Sequence, residues 1–275
     1  MSSRINTILI LGAAGGIGEA TARRFHSLGK QVIVTGRQQD SEKLEQAARE
    51  LPGLHYRIWD LTQLDTLQAE VDGILRDFPQ LDTVFVNAGI QHHYDIFQNP
   101  PPDLAQQAVQ ELTTNLTAPI LVAQAFAPHL LSLAKQGVKT NIFLTSSSLA
   151  YFPVPFYPTY CPSKAGIASF CKILRWQMEA TGVKGMNVVE VAPPYVDTPL
   201  NAHHRDQTDA LQGGPEKAVQ PMTLSEYIDK FFQLLEETKQ DGSIAHEIGV
   251  GFGGQGQKAW KQGYESLLKG SGMTD

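Results

Sequence analysis

The chain has 275 residues, of which 42% are apolar and 18% are charged, a composition that is typical of soluble globular proteins. A net charge of −6, without any run of more than two adjacent Lys or Arg residues, disfavours a nucleic-acid partner. The N-terminus lacks the apolar run of a signal peptide, and the charge-free stretches 112–134 and 140–163 are too polar or proline-rich to span a membrane. We therefore expect a cytoplasmic protein that has no membrane partner.

Short β-branched segments alternate with helical patterns along the chain. The predicted strands are 7–11, 31–35, 54–58, 83–87, 141–145, 187–191 and, with a weaker pattern, 246–250. The predicted helices lie near 16–28, 40–51, 63–77, 103–134, 158–181 and 223–239. Such alternation is typical of βαβ units. The sequence therefore predicts an α/β fold, in which a single domain contains a doubly wound parallel sheet of about seven strands with helices on both faces.

The least regular segment, 192–222, is rich in proline and glycine and contains two adjacent histidines. It follows the sixth strand and so begins at the carboxyl edge of the sheet, where ligands bind in open α/β folds. Irregular segments of this length are usually functional or disordered. We interpret the segment as a substrate lid, and the residues after about 251 as a C-terminal tail.

A glycine-rich segment, GAAGGIG, follows the first strand and opens the first helix, with Gly12, Gly16 and Gly18 as its spaced glycines. Glycines at this place permit a tight turn and let backbone N–H groups approach a pyrophosphate at the helix N-terminus. A plain tight turn is the alternative. A second glycine segment, GVGFGG at 249–254, follows the last strand without a βαβ unit, so we interpret it as a turn.

The end of the second strand carries a signal for the type of dinucleotide. About 20 residues after the glycines, an acidic residue would bind the ribose 2′-hydroxyl of NAD. This chain has Gly36 there, followed by Arg37. An arginine without a competing acid favours the 2′-phosphate of NADP(H), whereas a solvated turn arginine is the alternative.

Tyr160 and Lys164 are four residues apart on a predicted helix and therefore share one of its faces. A cation within about 4–6 Å lowers the pKa of a phenol and makes it a better base at neutral pH. The spacing also occurs by chance on solvated helices, so the pair alone leaves both interpretations open.

Two histidine pairs, His92–His93 and His203–His204, lie on predicted loops and are candidate metal ligands. No cysteine or carboxylate completes a metal site at a recognisable spacing. We therefore expect these side chains to line a pocket or to face solvent, and we expect no metal.

Further motifs occur in an order that resembles the short-chain dehydrogenase/reductase family, over roughly residues 5–250. The glycine segment and the Tyr160–Lys164 pair resemble the family's glycine motif and its Tyr-x-x-x-Lys pair. The segments WDLT (59–62), VNAG (86–89) and TTNLTAP (113–119) resemble the motifs that follow its third strand, close its fourth and carry a helix asparagine. The resemblance implies a Rossmann-fold oxidoreductase that interconverts a carbonyl and an alcohol by hydride transfer with a nicotinamide cofactor.

The same resemblance implies four catalytic residues. The family's serine lies thirteen residues before its tyrosine, which selects Ser147 from the TSSS segment that ends the fifth strand. Tyr160 is then the general acid or base, and Ser147 hydrogen-bonds the carbonyl oxygen. Lys164 lowers the pKa of Tyr160 and holds the nicotinamide ribose, while Asn115 positions a water that relays protons to Lys164.

Cofactor and substrate contacts are expected at the carboxyl edge of the sheet. The expected cofactor contacts are Gly12, Gly16, Ile17, Gly18, Arg37, Asp60, Leu61, Asn87, Ala88, Gly89, Tyr160, Lys164, Pro193, Val196 and Thr198. The expected substrate pocket, together with Tyr151 nearby, consists of His92, His93, Tyr94, Leu149, Phe152, Tyr157 and Tyr195. Aromatic and imidazole groups dominate the pocket, which favours uncharged, partly apolar carbonyl substrates over small keto acids.

The sequence departs from the family pattern at two places. In the glycine segment, Leu11 stands where threonine is usual and the two following alanines offer no hydroxyl. After the sixth strand, Pro194 replaces the usual glycine and removes a backbone N–H. We expect a slightly altered backbone at Pro194 without loss of activity.

The resemblance also bears on assembly and on an alternative function. Members of the family commonly form homodimers or homotetramers through the helices that correspond to 103–134 and 158–181. The alternative function is an NADP-sensing regulator on the same fold without turnover. Such regulators typically lose the tyrosine or the lysine, whereas this chain retains both together with the serine and the asparagine, which favours the enzyme.

Overall fold

Seven parallel strands form the sheet of the computed structural model, which describes residues 4–98, 100–237 and 243–270. The strands are β1 (Thr7–Leu11), β2 (Gln31–Gly36), β3 (His55–Ile58), β4 (Thr83–Val86), β5 (Thr140–Thr145), β6 (Met186–Ala192) and β7 (Glu247–Gly249). Their order across the sheet is β3-β2-β1-β4-β5-β6-β7, and every neighbouring pair is parallel. The predicted fold class is confirmed, including the weak seventh strand.

Helices connect successive strands and cover the sheet on both sides. In the described residues these are α1 (Gly16–Ser27), α2 (Ser41–Glu50), α3 (Leu67–Asp77), α4 (Leu104–Leu112), α5 (Ala118–Lys135), α6 (Tyr160–Ala180), α7 (Pro199–Ala202), α8 (Arg205–Leu211), α9 (Leu224–Glu236) and α10 (Phe252–Gly270). A π-helical turn, Thr113–Thr117, joins α4 to α5. Short 3₁₀ helices lie at Gln38–Asp40 and Ser148–Ala150.

Alternate strand residues enter two separate cores, because successive side chains of a strand point to opposite faces. Ile8 and Ile10 of β1 pack on one face, in a core that includes Phe25 of α1 and the apolar face of α9. Leu9 and Leu11 pack on the other face with residues of α3, α5 and α6. Burial on both faces explains why the strands consist of continuous apolar residues.

The strand order reverses at β1, and this reversal determines where a ligand can bind. β1 pairs with β2 on one side and with β4 on the other, so the connections after β1 and β4 leave in opposite directions. A crevice therefore opens beyond the carboxyl ends of these two strands, which is the usual ligand site of doubly wound sheets. The glycine segment and the VNAG segment border this crevice.

The segment 192–222 is more regular than the sequence predicted, because it contains the two short helices α7 and α8. Its ends close on each other as a parallel bridge between Val196 and Met222. The Met222 N–H donates to the Tyr195 carbonyl and the Asp197 N–H donates to the Met222 carbonyl, each at 2.9 Å. The segment therefore leaves the sheet and returns to it at nearly one point, which suits a lid, although its function as a lid stays a prediction.

The expected C-terminal tail is a helix over the part that the structure describes. Gly251, at φ +56°, forms the predicted turn, and α10 begins at the next residue. A Cβ on Gly253 would lie 2.0 Å from the Ala192 carbonyl oxygen, so glycine is required for this close approach to β6. Lys172 of α6 lies 4.1 Å above the ring of Trp260. These contacts hold α10 against the body of the protein.

One helical segment in the described residues, Leu104–Lys135, is long and apolar enough to cross a membrane by length and composition alone. It comprises α4, the π-helical turn and α5. Its inner side supplies Val122, Phe126 and Leu130 to the second core. The core helix of an α/β sheet satisfies the same criteria, and the packing of α5 against β4 and β5 accounts for its apolar face.

Replacement of Gly18 tests the close packing of α1 on the sheet. A Cβ on Gly18 would lie 2.2 Å from the Gly12 carbonyl oxygen and 2.7 Å from the Asn87 side chain. Gly18→Ala should therefore lower the free energy of unfolding by about 1–3 kcal/mol, the usual cost of overpacking. Gly263→Ala in α10 is the control, because nothing lies within 4 Å of the added methyl and alanine is the better helix former. Chemical denaturation measures both variants, and equal stabilities would contradict the contact.

Candidate active site

The glycine segment presents an open stretch of backbone at the N-terminus of α1. Gly12 and Gly16 have φ values of +81° and +56°, which L side chains rarely adopt. A Cβ on Gly12 would lie 2.5 Å from Ala88 Cα, so glycine is also required for the approach of the loop to β4. At Gly15, by contrast, an added Cβ meets nothing within 4 Å. The open space at Gly15 and the free N–H groups of a helix start fit a dinucleotide pyrophosphate.

Residues that follow β4 and β6 hold this loop from two sides. The Asn87 amide donates to the Gly12 carbonyl at 3.1 Å. Thr198, which follows β6, would contact a Cβ on Gly16 at 3.4 Å. The structure thus brings Asn87, Ala88 and Thr198 to the glycine segment, and their contact with the cofactor stays a prediction. Ile17 is partly buried in the first turn of α1.

The Pro193–Pro194 segment is anchored without a backbone donor at either residue. The Pro193 carbonyl accepts a hydrogen bond from the Ser148 N–H at 2.8 Å. Pro194 lies 3.7 Å from the position of a Cβ on Gly251, where the chain turns into α10. These two contacts hold the chain between β6 and Val196, which is buried.

Arg37 has an acidic neighbour that the sequence analysis did not consider. Its Nε and its backbone N–H each lie 3.3 Å from Oδ2 of Asp40 in the following 3₁₀ turn. The Arg37 side chain is 45% exposed, so it remains accessible at the end of β2. Gly36 and Arg37 occupy the position where an acid would bind the ribose 2′-hydroxyl, and the acid that contacts Arg37 is Asp40, three residues further along the chain. The preference for NADP(H) stays a prediction.

Asp60 closes the loop after β3. Its Oδ1 accepts hydrogen bonds from the Thr62 N–H at 2.9 Å and the Thr62 hydroxyl at 2.7 Å. The neighbouring Trp59 N–H donates to the Gly36 carbonyl at 2.9 Å, and Leu61 is buried. The WDLT segment therefore lies beside the end of β2, next to the site of Arg37.

Ser147, Tyr160 and Lys164 form a buried polar group beyond β5. Tyr160 is the first residue of α6, and a hydrogen bond from Ser147 acts to lower the pKa of its hydroxyl. Lys164 donates to the Thr145 carbonyl at 3.0 Å, and its Nζ lies 5.6 Å from the centroid of the Tyr160 ring. The three residues are only 7%, 6% and 2% exposed, respectively. The predicted serine, tyrosine and lysine are therefore brought together.

Asn115 reaches the same group from the π-helical turn. Its Oδ1 accepts from the Ile90 N–H at 2.9 Å, and its Nδ2 donates to the Ile90 carbonyl at 2.8 Å and to Ser163 at 3.2 Å. The position of a Cβ on Gly89 lies 3.4 Å from both Asn115 Oδ1 and Lys164 Nζ. Asn115 and Lys164 therefore flank Gly89, and π-helical turns often occur at functional sites.

Burial controls the protonation of these groups. It raises the pKa of Tyr160, an effect that the hydrogen bond from Ser147 partly offsets and the carboxylate of Glu111 reinforces. Burial also lowers the pKa of Lys164 to about 8, whereas Glu111 acts in the opposite direction. The net shift of the Tyr160 pKa is upward, with desolvation of the phenol as its largest cause, and the lowering of this pKa by Lys164 stays a prediction.

Hydrogen bonds distinguish Ser147 from the neighbouring Ser146. The Ser146 hydroxyl donates to the buried Glu190 of β6. Tyr151 donates to both oxygens of the same carboxylate, at 2.8 and 2.9 Å, and contacts the position of a Cβ on Gly256 in α10. Tyr151 therefore lies under α10 rather than in the expected pocket.

The pocket beside Tyr160 is closed partly by the lid. His93 stacks on His204 at 5.8 Å and meets Tyr157 edge-on at 5.9 Å between ring centroids. The Tyr157 hydroxyl is hydrogen-bonded to Thr208 of α8 at 3.1 Å, and Tyr157 packs against Tyr160. Burial lowers the pKa of His93, so its imidazole is neutral at physiological pH.

The remaining predicted pocket residues occupy different places. Leu149 packs against Tyr157 and Tyr160. Tyr94 is buried, and its hydroxyl is hydrogen-bonded to Thr159. His92 lies beside α4, and Tyr195 lies at the start of the lid near Arg205. Phe152 lies outside the pocket, where it is exposed and contacts Phe252 of α10.

Sequence analysis missed Glu111 of α4. Its side chain is fully buried, and Oε1 accepts a hydrogen bond from the His92 N–H at 2.9 Å. Burial raises the pKa of Glu111 to about 7, while this hydrogen bond and the charge of Lys164 lower it. The available signal was its position one helical turn before Asn115, which places both residues on the same face.

Comparison with known proteins shows similarity over most of the chain. Residues 6–209 match the family model described as short chain dehydrogenase. The chain is 34% identical over 236 residues to the uncharacterized oxidoreductase DltE of Bacillus subtilis, and the aligned region covers 86% of each chain.

Solved structures with low sequence identity share the fold. One is a 3-ketoacyl-(acyl-carrier-protein) reductase from Brucella melitensis complexed with NADH, with a TM-score of 0.73 at 22% identity over 89% of this chain and 96% of that one. Another is an alcohol dehydrogenase from Thermococcus sibiricus complexed with 5-hydroxy-NADP. It has a TM-score of 0.68 at 19% identity, and the match covers 90% of this chain and 96% of that one. The two proteins therefore bind different nicotinamide dinucleotides.

Removal of the Tyr157 hydroxyl tests the contact between the pocket and α8. Tyr157→Phe keeps the ring and loses the hydrogen bond to Thr208. A net contribution of about 1 kcal/mol should make local opening of α8 about five times more frequent. Limited proteolysis within 205–217 measures this opening. Tyr56→Phe, at an exposed tyrosine of β3, is the control, and equal cleavage of both variants would argue against the contact.

Proposed function

The chain belongs to the short-chain dehydrogenase/reductase family, and on this premise we propose that it is an NADP(H)-dependent enzyme that interconverts a ketone or aldehyde with the corresponding alcohol. The observation that carries the proposal is the buried group of Ser147, Tyr160 and Lys164, in which Lys164 Nζ lies 5.6 Å from the centroid of the Tyr160 ring, at the edge of the sheet where the glycine segment lies. Proton transfer and cofactor binding require these groups at one place.

Tyr160 is the proton donor in the reductive direction. When bound, the nicotinamide supplies the hydride for the carbonyl carbon. Tyr160 gives its phenolic proton to the carbonyl oxygen, and Ser147 hydrogen-bonds that oxygen while negative charge develops on it. Burial raises the pKa of Tyr160, which keeps the phenol protonated and suits a general acid. In the oxidative direction the phenolate accepts the proton of the alcohol instead.

Lys164 and Asn115 support this step from the other side of Tyr160. Lys164 uses one of its three N–H donors for the Thr145 carbonyl, so further donors are available to the hydroxyls of a nicotinamide ribose. Asn115 Oδ1 and Lys164 Nζ each lie 3.4 Å from the position of a Cβ added to Gly89, and we expect a water in this space to be held by both groups. Such a water would return a proton to the Tyr160 side after each reduction.

Arg37 and the pocket lining support the finer parts of the proposal. The exposed guanidinium of Arg37 lies at the end of β2, where the adenosine ribose binds in this fold, and it suits a 2′-phosphate. The walls near Tyr160 are aromatic or neutral imidazole, since burial lowers the pKa of both His92 and His93. Arg205 of the lid is paired with Asp197 at 3.7 Å. This lining favours an uncharged, partly apolar carbonyl substrate.

Loss of the Tyr160 hydroxyl tests the enzymatic proposal. Tyr160→Phe keeps the ring and removes the proton, so turnover should fall by about 10²- to 10⁴-fold while NADPH binding survives. NADPH oxidation is followed with a panel of aryl ketones, aldehydes and pyruvate-like acids, and the aryl compounds should give the higher kcat/KM. Tyr56→Phe is the control and should be near wild type. If the wild-type protein binds NADPH but turns over no carbonyl compound, the regulator is the better assignment.

The cofactor preference is tested at the Arg37–Asp40 pair. Arg37→Ala should reduce the preference for NADPH over NADH by about 10- to 100-fold, the value of a charge-assisted contact. Asp40→Asn should increase that preference, because it removes a negative charge beside the phosphate. Ratios of kcat/KM for the two cofactors measure both effects. A wild-type protein that prefers NADH would overturn the assignment of Arg37.

A further inference from the structure

Glu111 is a fully buried carboxylate that the proposed reaction does not yet use. Its Oε1 accepts the hydrogen bond of the His92 N–H, but its Oε2 has no hydrogen-bond partner among the described residues. A buried carboxylate oxygen that lacks a donor is unfavourable. A nearby cation is the interaction that compensates for such a loss of hydration.

The groups that face Glu111 belong to the first turns of α6 and to the loop after β4. On α6 its charge acts on Tyr160, Cys161 and Lys164, and of these only Lys164 carries a positive charge. On the loop, its contact is the backbone of His92. Among the described residues, Lys164 is the only charged group found to act on Glu111, and Glu111 the only one found to act on Lys164. The two are therefore buried groups of opposite charge that act on each other without an ion-pair contact within 4 Å.

Glu111 and Asn115 hold the same loop against Lys164. They are one helical turn apart, and Asn115 binds both backbone groups of Ile90 while Glu111 binds the N–H of His92. The loop begins at Gly89, and a Cβ added to this glycine would lie 3.4 Å from Lys164 Nζ. The hydrogen bond from the His92 N–H therefore fixes the carboxylate of Glu111 inside the protein, on the same loop that borders the water proposed between Asn115 and Lys164.

We propose that Glu111 is a positioning residue of the reaction, whose buried negative charge keeps Lys164 as the ammonium and Tyr160 as the phenol. This inference rests on the proposed function, because it concerns the same two groups. Glu111 touches neither substrate nor cofactor. It acts on the chemistry only through α6, by making the release of a proton from either side chain less favourable.

The sign of the effect is the same for both neighbours. A negative charge raises the pKa of a lysine and of a tyrosine, so its removal lowers the pKa of both. Reduction needs the phenol and the ammonium and is therefore lost as the pH rises, whereas oxidation needs the phenolate and is gained. Because burial raises the pKa of Glu111 only to about 7, its carboxylate is ionised over the alkaline range where these changes occur. Loss of the charge should move both pH profiles toward lower pH.

Glu111→Gln removes the charge and keeps an oxygen that can accept the His92 hydrogen bond. Profiles of kcat/KM against pH are measured in both directions, and each should shift by about one pH unit toward acid. Glu111→Asp restores a carboxylate and should return the profiles toward those of the wild type. Glu179→Gln is the matched control, because Glu179 is exposed near the end of α6, and its profiles should not move.

A second measurement needs neither cofactor nor turnover. NMR of ¹³C-labelled lysine follows the titration of Lys164 in the free protein, with Lys164→Arg to assign the signal. The midpoint should be lower in Glu111→Gln than in the wild type by a similar amount. A structural role alone would reduce the amplitude of the kinetic profiles and leave their position and this midpoint unchanged, which would overturn the inference.

The two proposals can fail separately. A wild-type protein without carbonyl turnover refutes the proposed function, and the NMR midpoint then still decides the charge coupling. A wild-type enzyme with normal turnover whose profiles do not shift in Glu111→Gln refutes only the present inference.

If Glu111→Gln does not fold, Glu111→Met makes the same change of charge without an unpaired buried oxygen. Failure of both variants to fold would assign Glu111 a structural role and overturn the proposal.

Discussion

The burial of Lys164 is the constraint on which the active site depends. An ammonium group withdrawn from water is unfavourable unless hydrogen bonds or an opposite charge replace its hydration. Here the carbonyl at the end of β5 supplies one hydrogen bond and Glu111 of α4 supplies the charge. The sheet, α4 and α6 must therefore keep their relative positions if Lys164 is to remain a cation beside Tyr160.

Close backbone contacts bring the cofactor region to the same place. The reversal of strand order at β1 puts the glycine segment beside the end of β4, and the contact of Gly12 with Ala88 leaves no space for a side chain. The Asn87 amide then joins this loop to the region of β5, where its Oδ1 accepts from the Thr145 hydroxyl at 3.4 Å. One edge of the sheet thus carries both the open backbone of the glycine segment and the group of Ser147, Tyr160 and Lys164.

The pocket owes its character to aromatic, imidazole and hydroxyl side chains on both sides. His93 and Tyr157 on the body meet His204 and Thr208 on the lid, through ring stacking and one hydroxyl hydrogen bond. Burial lowers the pKa of His93, so this side chain places no charge on the wall. Local opening of the segment 192–222 would break these contacts, and its function as a substrate lid stays a prediction.

By itself, the sequence determined the parallel sheet and the helices between its strands, because strand and helix periodicity are local properties of the chain. Spacing alone puts Tyr160 and Lys164 on one helix face, whereas Ser147 was selected through the resemblance to the short-chain dehydrogenase/reductase family. The helical structure of the lid and of the residues after 251 was not predicted, since few apolar periodic signals mark these segments. Only the tertiary structure showed that Asp40 pairs with Arg37, that Tyr151 faces Glu190, and that burial raises the pKa of Tyr160. The role of Glu111 was equally hidden, because the depth at which a carboxylate lies, and the cation it faces, depend on elements distant in sequence that the fold brings together.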